Sequence, residues 1–315
     1  MTVRVVYLGT PEAAVPPLRA LLDSGHQVVA AVTRPDRPRD RQGGRPRPSP
    51  VKQVALDAGL PVLEPPRGRD PALPGQLAAV GADVGFSCAF GYLLPDPVLA
   101  VFPHGVLNLH FSLLPAYRGP APVQRALLDG VEVTGVCTFV IDAGMDTGPL
   151  LECAEVPVEP GEDAGHLTAR LAEVGARLAV ETLDAVEAGT ATPRPQPEQG
   201  ASLAPKVRPE EARLDFTRPA GRLVNAVRAF TPSPGAWTTL RGRRLKVTRA
   251  AVAGDGAGEG LEPGQPAVGP GGRLLAGTGD GVLELLEVRP EGRRAMSGAE
   301  FARGARLADA DRLGG

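Results

Sequence analysis

The chain has 315 residues, of which 43% are hydrophobic and 22% charged, enough to bury a sizeable core and long enough for two domains. No run of about 18 apolar residues occurs, and the N-terminus lacks a signal-peptide layout, so a secreted or membrane-spanning protein is not expected and a cytoplasmic one is. The formal net charge of −2 hides an asymmetry: residues 206–315 hold 18 Lys+Arg against 13 Asp+Glu, and residues 1–205 hold 16 against 23, a hint of a polyanionic partner for the back half.

In chain order, strands are predicted at Val3–Gly9, Gln27–Thr33, Pro61–Glu64, Asp83–Ser87, Val106–Leu109 and Thr134–Ile141. Helices near Pro11–Ser24, Ser49–Ala58, Gln76–Val80, Pro120–Asp129 and Gly165–Glu187 separate them. This alternation predicts an α/β domain with a mostly parallel, Rossmann-like sheet. From Gly189 to Glu211 the chain carries five prolines and no apolar periodicity, the composition of a linker. A helix follows at Pro219–Phe230, then strands at Ala236–Leu240, Arg244–Val252, Arg273–Ala276 and Val282–Val288, which a small β-barrel would free of open edges. The expected division is a first domain over 1–189, a linker over 190–211 and a second domain over 212–315.

Open α/β sheets bind ligands beyond the carboxyl ends of their strands, which directs attention to three segments. The first turn, Leu8-Gly9-Thr10-Pro11-Glu12, lacks G-x-G-x-x-G and sets Pro11 and Glu12 where a pyrophosphate needs close backbone approach, against a dinucleotide site and a dehydrogenase. In Asn108-Leu109-His110, residues two apart share a face. Asn108 could stabilise an oxyanion while His110 gives or takes a proton, the pair that acyl transfer needs; equally, Asn108 could cap a turn and His110 be a satisfied buried imidazole. Asp142 and Asp146 lie in the polar loop Ile141–Leu150, where a carboxylate could stabilise His110 as imidazolium or simply serve the turn.

Other chemistries find less support. The four histidines, His26, His104, His110 and His166, show no metal-ligand spacing, so no metal is expected. No serine lies in a G-x-S-x-G elbow. The three cysteines, Cys88, Cys137 and Cys153, have no C-x-x-C spacing and are expected to be reduced core residues. The loop Arg34–Pro50, with six arginines and five prolines, is either a solvated surface loop or an arm for nucleic acid.

Several segments together resemble the methionyl-tRNA formyltransferase family, among the folate-dependent formyltransferases, along the whole chain. They are Leu8–Glu12 with Ala14–Leu18, Pro35–Pro38 with Pro48–Lys52, Asn108–Gly119, Asp142–Leu150, Ala204–Lys206 with Glu210–Asp215, Arg228–Phe230 with Pro234–Trp237, and Pro290–Gly292 with Met296-Ser297. The resemblance implies catalytic roles for Asn108, His110 and Asp146, and folate contacts at Ser112, Leu113, Leu114 and Pro115, with Phe90 and Gly91. It implies 10-formyltetrahydrofolate as formyl-donor cosubstrate and initiator methionyl-tRNA as acceptor, with no obligate protein partner and no membrane. It further implies an oligonucleotide-binding-like C-terminal barrel and tRNA contacts from the inserted loop through Arg37, Arg39, Arg41, Arg45 and Arg47. On this reading the tetrahedral oxyanion is held by Asn108 and a protonated His110, whose charge Asp146 favours. The rival acceptor is a small-molecule amine, a sugar nucleotide or glycinamide ribonucleotide; the rival class is an RNA-binding protein without activity. Ser233, Ala116 and Asp40 to Arg45 depart from the family's pattern, which touches RNA contacts rather than catalysis.

Overall fold

The computed structural model describes residues 2–36, 47–254 and 256–315. The chain divides into two units, the first made of Met1–Pro122, Val133–Pro157 and Thr168–Ala204, the second of Val123–Glu132, Val158–Leu167 and Pro205–Gly315.

The first unit is built on a seven-stranded sheet. Its strands are β1 (Arg4–Gly9), β2 (Gln27–Val32), β3 (Val62–Leu63), β4 (Val84–Cys88), β5 (Val106–His110), β6 (Val133–Val140) and β7 (Leu150–Pro157), in the order β3-β2-β1-β4-β5-β6-β7. Pairing is parallel from β3 through β5 and antiparallel from β5 through β7. Val5, Val6, Tyr7 and Leu8 are all fully buried, so both faces of β1 are covered, as a continuous apolar run in a central parallel strand requires.

Helices α1 (Val15–Asp23), α2 (Pro50–Asp57), α3 (Leu73–Val80), α4 (Asp96–Leu99) and, from Thr168 onward, α6 (Ala164–Glu187) belong to this unit; α5 (Pro122–Asp129) beyond Pro122 belongs to the second. Local chemistry fixes their ends. Ser49 Oγ accepts the Lys52 N–H at 3.2 Å ahead of Pro50, an N-cap with proline in the first turn, and α3 stops at Gly81 in the left-handed conformation (φ 65°). The direction of winding reverses between β1 and β4, which marks the carboxyl ends of the central strands as the place for a ligand.

The stretch read as a linker is not free chain. Residues 190–204 belong to the first unit: Leu150 and Arg194 exchange backbone hydrogen bonds of 2.7 and 2.8 Å, and Arg118 and Ala204 pair at 2.6 Å. Prolines hold such a segment extended, and an extended segment can pair without showing periodicity.

In the second unit, α7 (Ala220–Phe230) accompanies an antiparallel sheet of β8 (Trp237–Leu240), β9 (Arg243–Val252), β10 (Pro266–Val268), β11 (Leu274–Gly277), β12 (Val282–Pro290) and β13 (Met296–Ser297), followed by α8 (Gly298–Ala305). The order is β10-β11-β12-β9-β8, with β13 on β12. The gap between its outer strands is bridged by two residues: Leu313 N–H donates to Gly264 O at 2.7 Å, and Gly314 N–H donates to Thr239 O at 3.0 Å. The α/β class with a second, antiparallel β domain agrees with the sequence reading.

Cysteine usage does not. Cys137 and Cys153 are joined in a disulfide, and only Cys88 is free. The antiparallel register of β6 and β7 sets the two residues directly opposite each other with Cα atoms 4.1 Å apart, a proximity that their separation of 16 residues conceals. Among the described residues no helix is long and apolar enough to cross a membrane.

Candidate active site

Within the first unit a cavity of about 760 Å³ opens at the carboxyl ends of β4 and β5 and beside the loop that follows β6. Its wall is mainly apolar, with Phe90, Tyr92, Leu94 and Ile141, and Asn108, His110 and Asp146 meet at it. Its size lies in the range of small-molecule sites, and a few polar groups converging in an apolar wall is the usual composition of one. The alternation of β5 delivers Asn108 and His110 to this common face, while Asp146 arrives from the β6–β7 connection with φ 53°, in the left-handed region.

His110 is 6% exposed and held from two sides. Its Nε2 lies 2.9 Å from the Tyr117 carbonyl oxygen. A carbonyl can only accept, so Nε2 carries the proton, and in the neutral ring Nδ1 is left with its lone pair. That Nδ1 is 3.7 Å from Asp146 Oδ2, and the same carboxylate oxygen accepts the Gly119 N–H at 2.8 Å. Burial lowers the His110 pKa below its ordinary value; the Asp146 carboxylate and the Tyr117 carbonyl oppose this without overcoming it. The expected effect of Asp146, to favour the imidazolium at the oxyanion stage, has the expected direction, but burial works against that charge and outweighs it. Burial thus biases the ring toward its neutral form, with the Asp146 carboxylate beside Nδ1.

A covalent route through sulfur is unsupported. Cys88 ends β4 fully buried, and desolvation pushes its thiol up to about 12, far from a thiolate at neutral pH.

Of the residues expected at the site, Asn108, His110, Asp146, Phe90 and Gly91 are brought to one cavity. Ser112, Leu113, Leu114 and Pro115 are not on its wall. Ser112 is fully buried with Oγ donating to Ala116 O at 2.6 Å, and Leu114 packs with Cys137 and Phe139, so the segment supports the fold of the loop carrying Tyr117. Arg37, Arg39, Arg41 and Arg45 lie outside the described residues; Arg47 is exposed. Sequence reasoning passed over the segment Ala89–Pro95 as a whole, although it follows β4 at the reversal of strand order, which is the signal that could have found it.

Away from the cavity, His26 Nε2 is 3.1 Å from Asp184 Oδ1 and Nδ1 is 3.9 Å from Glu187 Oε2, and one ligand atom from each of the three residues lies within 4.8 Å of the others. In the second unit, register places Trp237, Lys246 and Arg289 in one row across β8, β9 and β12. The Arg244 and Arg213 guanidiniums lie 4.3 and 5.8 Å from the Trp237 ring centre. The Lys246 pKa is lowered by burial and by Arg289 and Arg244, as expected where cations crowd together.

Residues 2–183 match the formyl transferase family model, and residues 206–306 the model of the formyl transferase C-terminal domain. A methionyl-tRNA formyltransferase of Frankia casuarinae is 49% identical, with 99% of this chain and 96% of that protein covered. One of Acidothermus cellulolyticus is 46% identical over 98% and 99%. Among solved structures, a HypX variant from Aquifex aeolicus has a similar fold at a TM-score of 0.67 and 17% identity, covering 98% of this chain and 49% of HypX, so that the chain spans about half of that protein. With two domain models matched in order and relatives sharing nearly half of its residues from end to end, the chain belongs to the methionyl-tRNA formyltransferase family.

Proposed function

We propose that this enzyme transfers a formyl group from 10-formyltetrahydrofolate to the α-amino group of methionyl initiator tRNA, with Asn108, His110 and Asp146 as its catalytic residues. The observation that carries the residue assignment is the orientation of His110: Nε2–H on the Tyr117 carbonyl, Nδ1 bare beside Asp146 at the cavity wall. The cavity's volume and apolar wall suit a folate ring system, and of the expected folate contacts Phe90 and Gly91 line it.

When bound, the donor supplies an activated formyl group attached to a nitrogen that can leave. Asn108 donates a side-chain N–H to the formyl oxygen as negative charge builds on it. His110 takes a proton at Nδ1 from the attacking amine, and Asp146 stabilises the imidazolium so formed. His110 then returns that proton to the departing nitrogen as the carbon–nitrogen bond to the donor breaks. The ring ends as it began, so neither a covalent intermediate nor an external proton is needed.

For the acceptor, the row Trp237, Lys246 and Arg289 with Arg244 supports contact with RNA: an aromatic face for a base and cations for phosphates. The deciding assay supplies 10-formyltetrahydrofolate with charged initiator tRNA, charged elongator tRNA or free methionine. Transfer confined to charged initiator tRNA is expected. Transfer to none of them, with turnover of a small amine instead, would overturn the acceptor assignment and leave the catalytic residues standing.

A further inference from the structure

The extended, proline-rich segment between the two matched domains holds a side chain whose every hydrogen-bonding position is used. Gln196 Nε2 donates to Asp146 O and to Gly148 O, both at 2.8 Å, and its Oε1 accepts from Arg118 Nε at 3.0 Å and Arg118 Nη2 at 2.8 Å. One amide thus joins the two loops that determine the surroundings of His110. The loop carrying Tyr117, Arg118 and Gly119 receives the His110 Nε2–H and gives the Gly119 N–H to Asp146; the other loop carries Asp146 itself.

We propose that Gln196 is a positioning residue for formyl transfer, setting the Asp146 carboxylate against His110 Nδ1. Three observations carry this. Asp146 has φ 53°, a left-handed conformation that is uncommon outside glycine, and Gln196 holds its carbonyl oxygen. The same segment tethers the partner loop at several further points: Ser202 Oγ accepts the Tyr117 N–H at 2.9 Å, Ser202 O accepts the Arg118 N–H at 2.9 Å, and Ala204 N–H donates to Arg118 O at 2.6 Å. The approach is close enough that a Cβ on Gly119, where φ is 122°, would stand 2.8 Å from Ala204 O. Gln196 is not on the cavity wall, so it works through Asp146 and Arg118 and never on substrate.

Only glutamine meets these demands. Glutamate has the length but no N–H for the two carbonyls, and asparagine is a methylene short. The proposal rests on the catalytic role assigned to Asp146, and its test separates the two. Steady-state kcat and KM for donor and for charged initiator tRNA are measured on the full chain for wild type, Gln196→Ala, Gln196→Glu, Asp146→Asn and Asp146→Asn/Gln196→Ala, with melting curves confirming that each is folded. Gln196→Ala and the near-isosteric Gln196→Glu are expected to lower kcat by about 10²-fold, the effect of a misplaced catalytic group, with both KM values nearly unchanged. In the double variant the Gln196 change is expected to add little to Asp146→Asn, since both act on one interaction. Wild-type kcat in a folded Gln196→Glu, or losses that multiply in the double variant, would overturn the role of Gln196 while Asp146→Asn remained impaired. Full activity of Asp146→Asn would instead remove the reading beneath it.

Discussion

At His110 burial and a carboxylate pull in opposite directions, and burial wins, so the ring is neutral below the ordinary histidine range. A base of this kind loses activity only when acid protonates Nδ1. The enzyme's own step in the acidic limb of the kcat/KM profile for formyl transfer, beyond the step due to the acceptor amine, is therefore expected below about pH 6.5, the ordinary histidine value. Asp146→Asn removes the carboxylate that raises the pKa, and so shifts this limb further toward acid as well as slowing turnover; the acceptor amine ionises alike in both enzymes and drops out of the comparison. A limb that moves toward alkali in the variant would contradict the assignment. His110→Ala is expected to lower kcat by about 10²–10⁴-fold, the span of general acid–base catalysis, with single-turnover rates as the check. The sharing of a face by Asn108 and His110 was legible in their spacing, because strand alternation is a local rule. That His110 is oriented by Tyr117, and Asp146 by Gly119 and Gln196, was not, since these contacts join loops through backbone groups that no residue type announces.

At the scale of elements, what escaped the sequence reading is polar, short or dependent on register. Strand β7, Leu150–Pro157, was not expected: it is the outer strand of its sheet, and Glu152 and Glu155, three residues apart, break any two-residue alternation. Helix α8 was missed despite a readable signal, the capping box of Ser297 and Glu300. The Cys137–Cys153 bond became visible only once β7 was placed beside β6. Cys153→Ser is expected to cost about 3 kcal/mol of unfolding free energy, the usual effect of opening a loop of this length, in denaturant titrations without reductant. With reductant, wild type and variant should converge; an equal gap under both conditions would mean that the thiols are unpaired. Arg241, in the turn between β8 and β9, donates to Asp311 Oδ1 at 2.7 Å and Oδ2 at 2.6 Å, which holds the Asp311 pKa down to about 2. Since the folded value lies below the unfolded one, the stabilisation is complete above about pH 4 and disappears as pH falls toward 2. The melting temperature of Asp311→Asn should thus lie below that of wild type near neutrality and approach it in acid; a gap that persists unchanged at pH 2 would show that the ion pair is not its source.

For the whole molecule, the order of domains and their classes were legible because hydrophobic periodicity and composition change along the chain. The boundary was not, because a proline-rich segment that packs looks the same in sequence as one that does not. Of the basic residues in the back half, Lys246 and Arg289 stand in the row across β8, β9 and β12, with Arg244 against Trp237. If initiator tRNA is bound there by phosphate contacts, its affinity should fall steeply with added salt, and Arg244→Ala should flatten the slope of log K against log salt by about one contact. An unchanged slope would place the contacts elsewhere. Trp237 in that row is the chain's one tryptophan. Its indole is half-buried, with the Arg244 guanidinium over its ring. Every photon of tryptophan emission from this protein therefore originates at a single point on the surface proposed for RNA. An unlabelled sample carries its own reporter: a change in intensity or wavelength on adding tRNA reads the environment of that row alone, undiluted by the core.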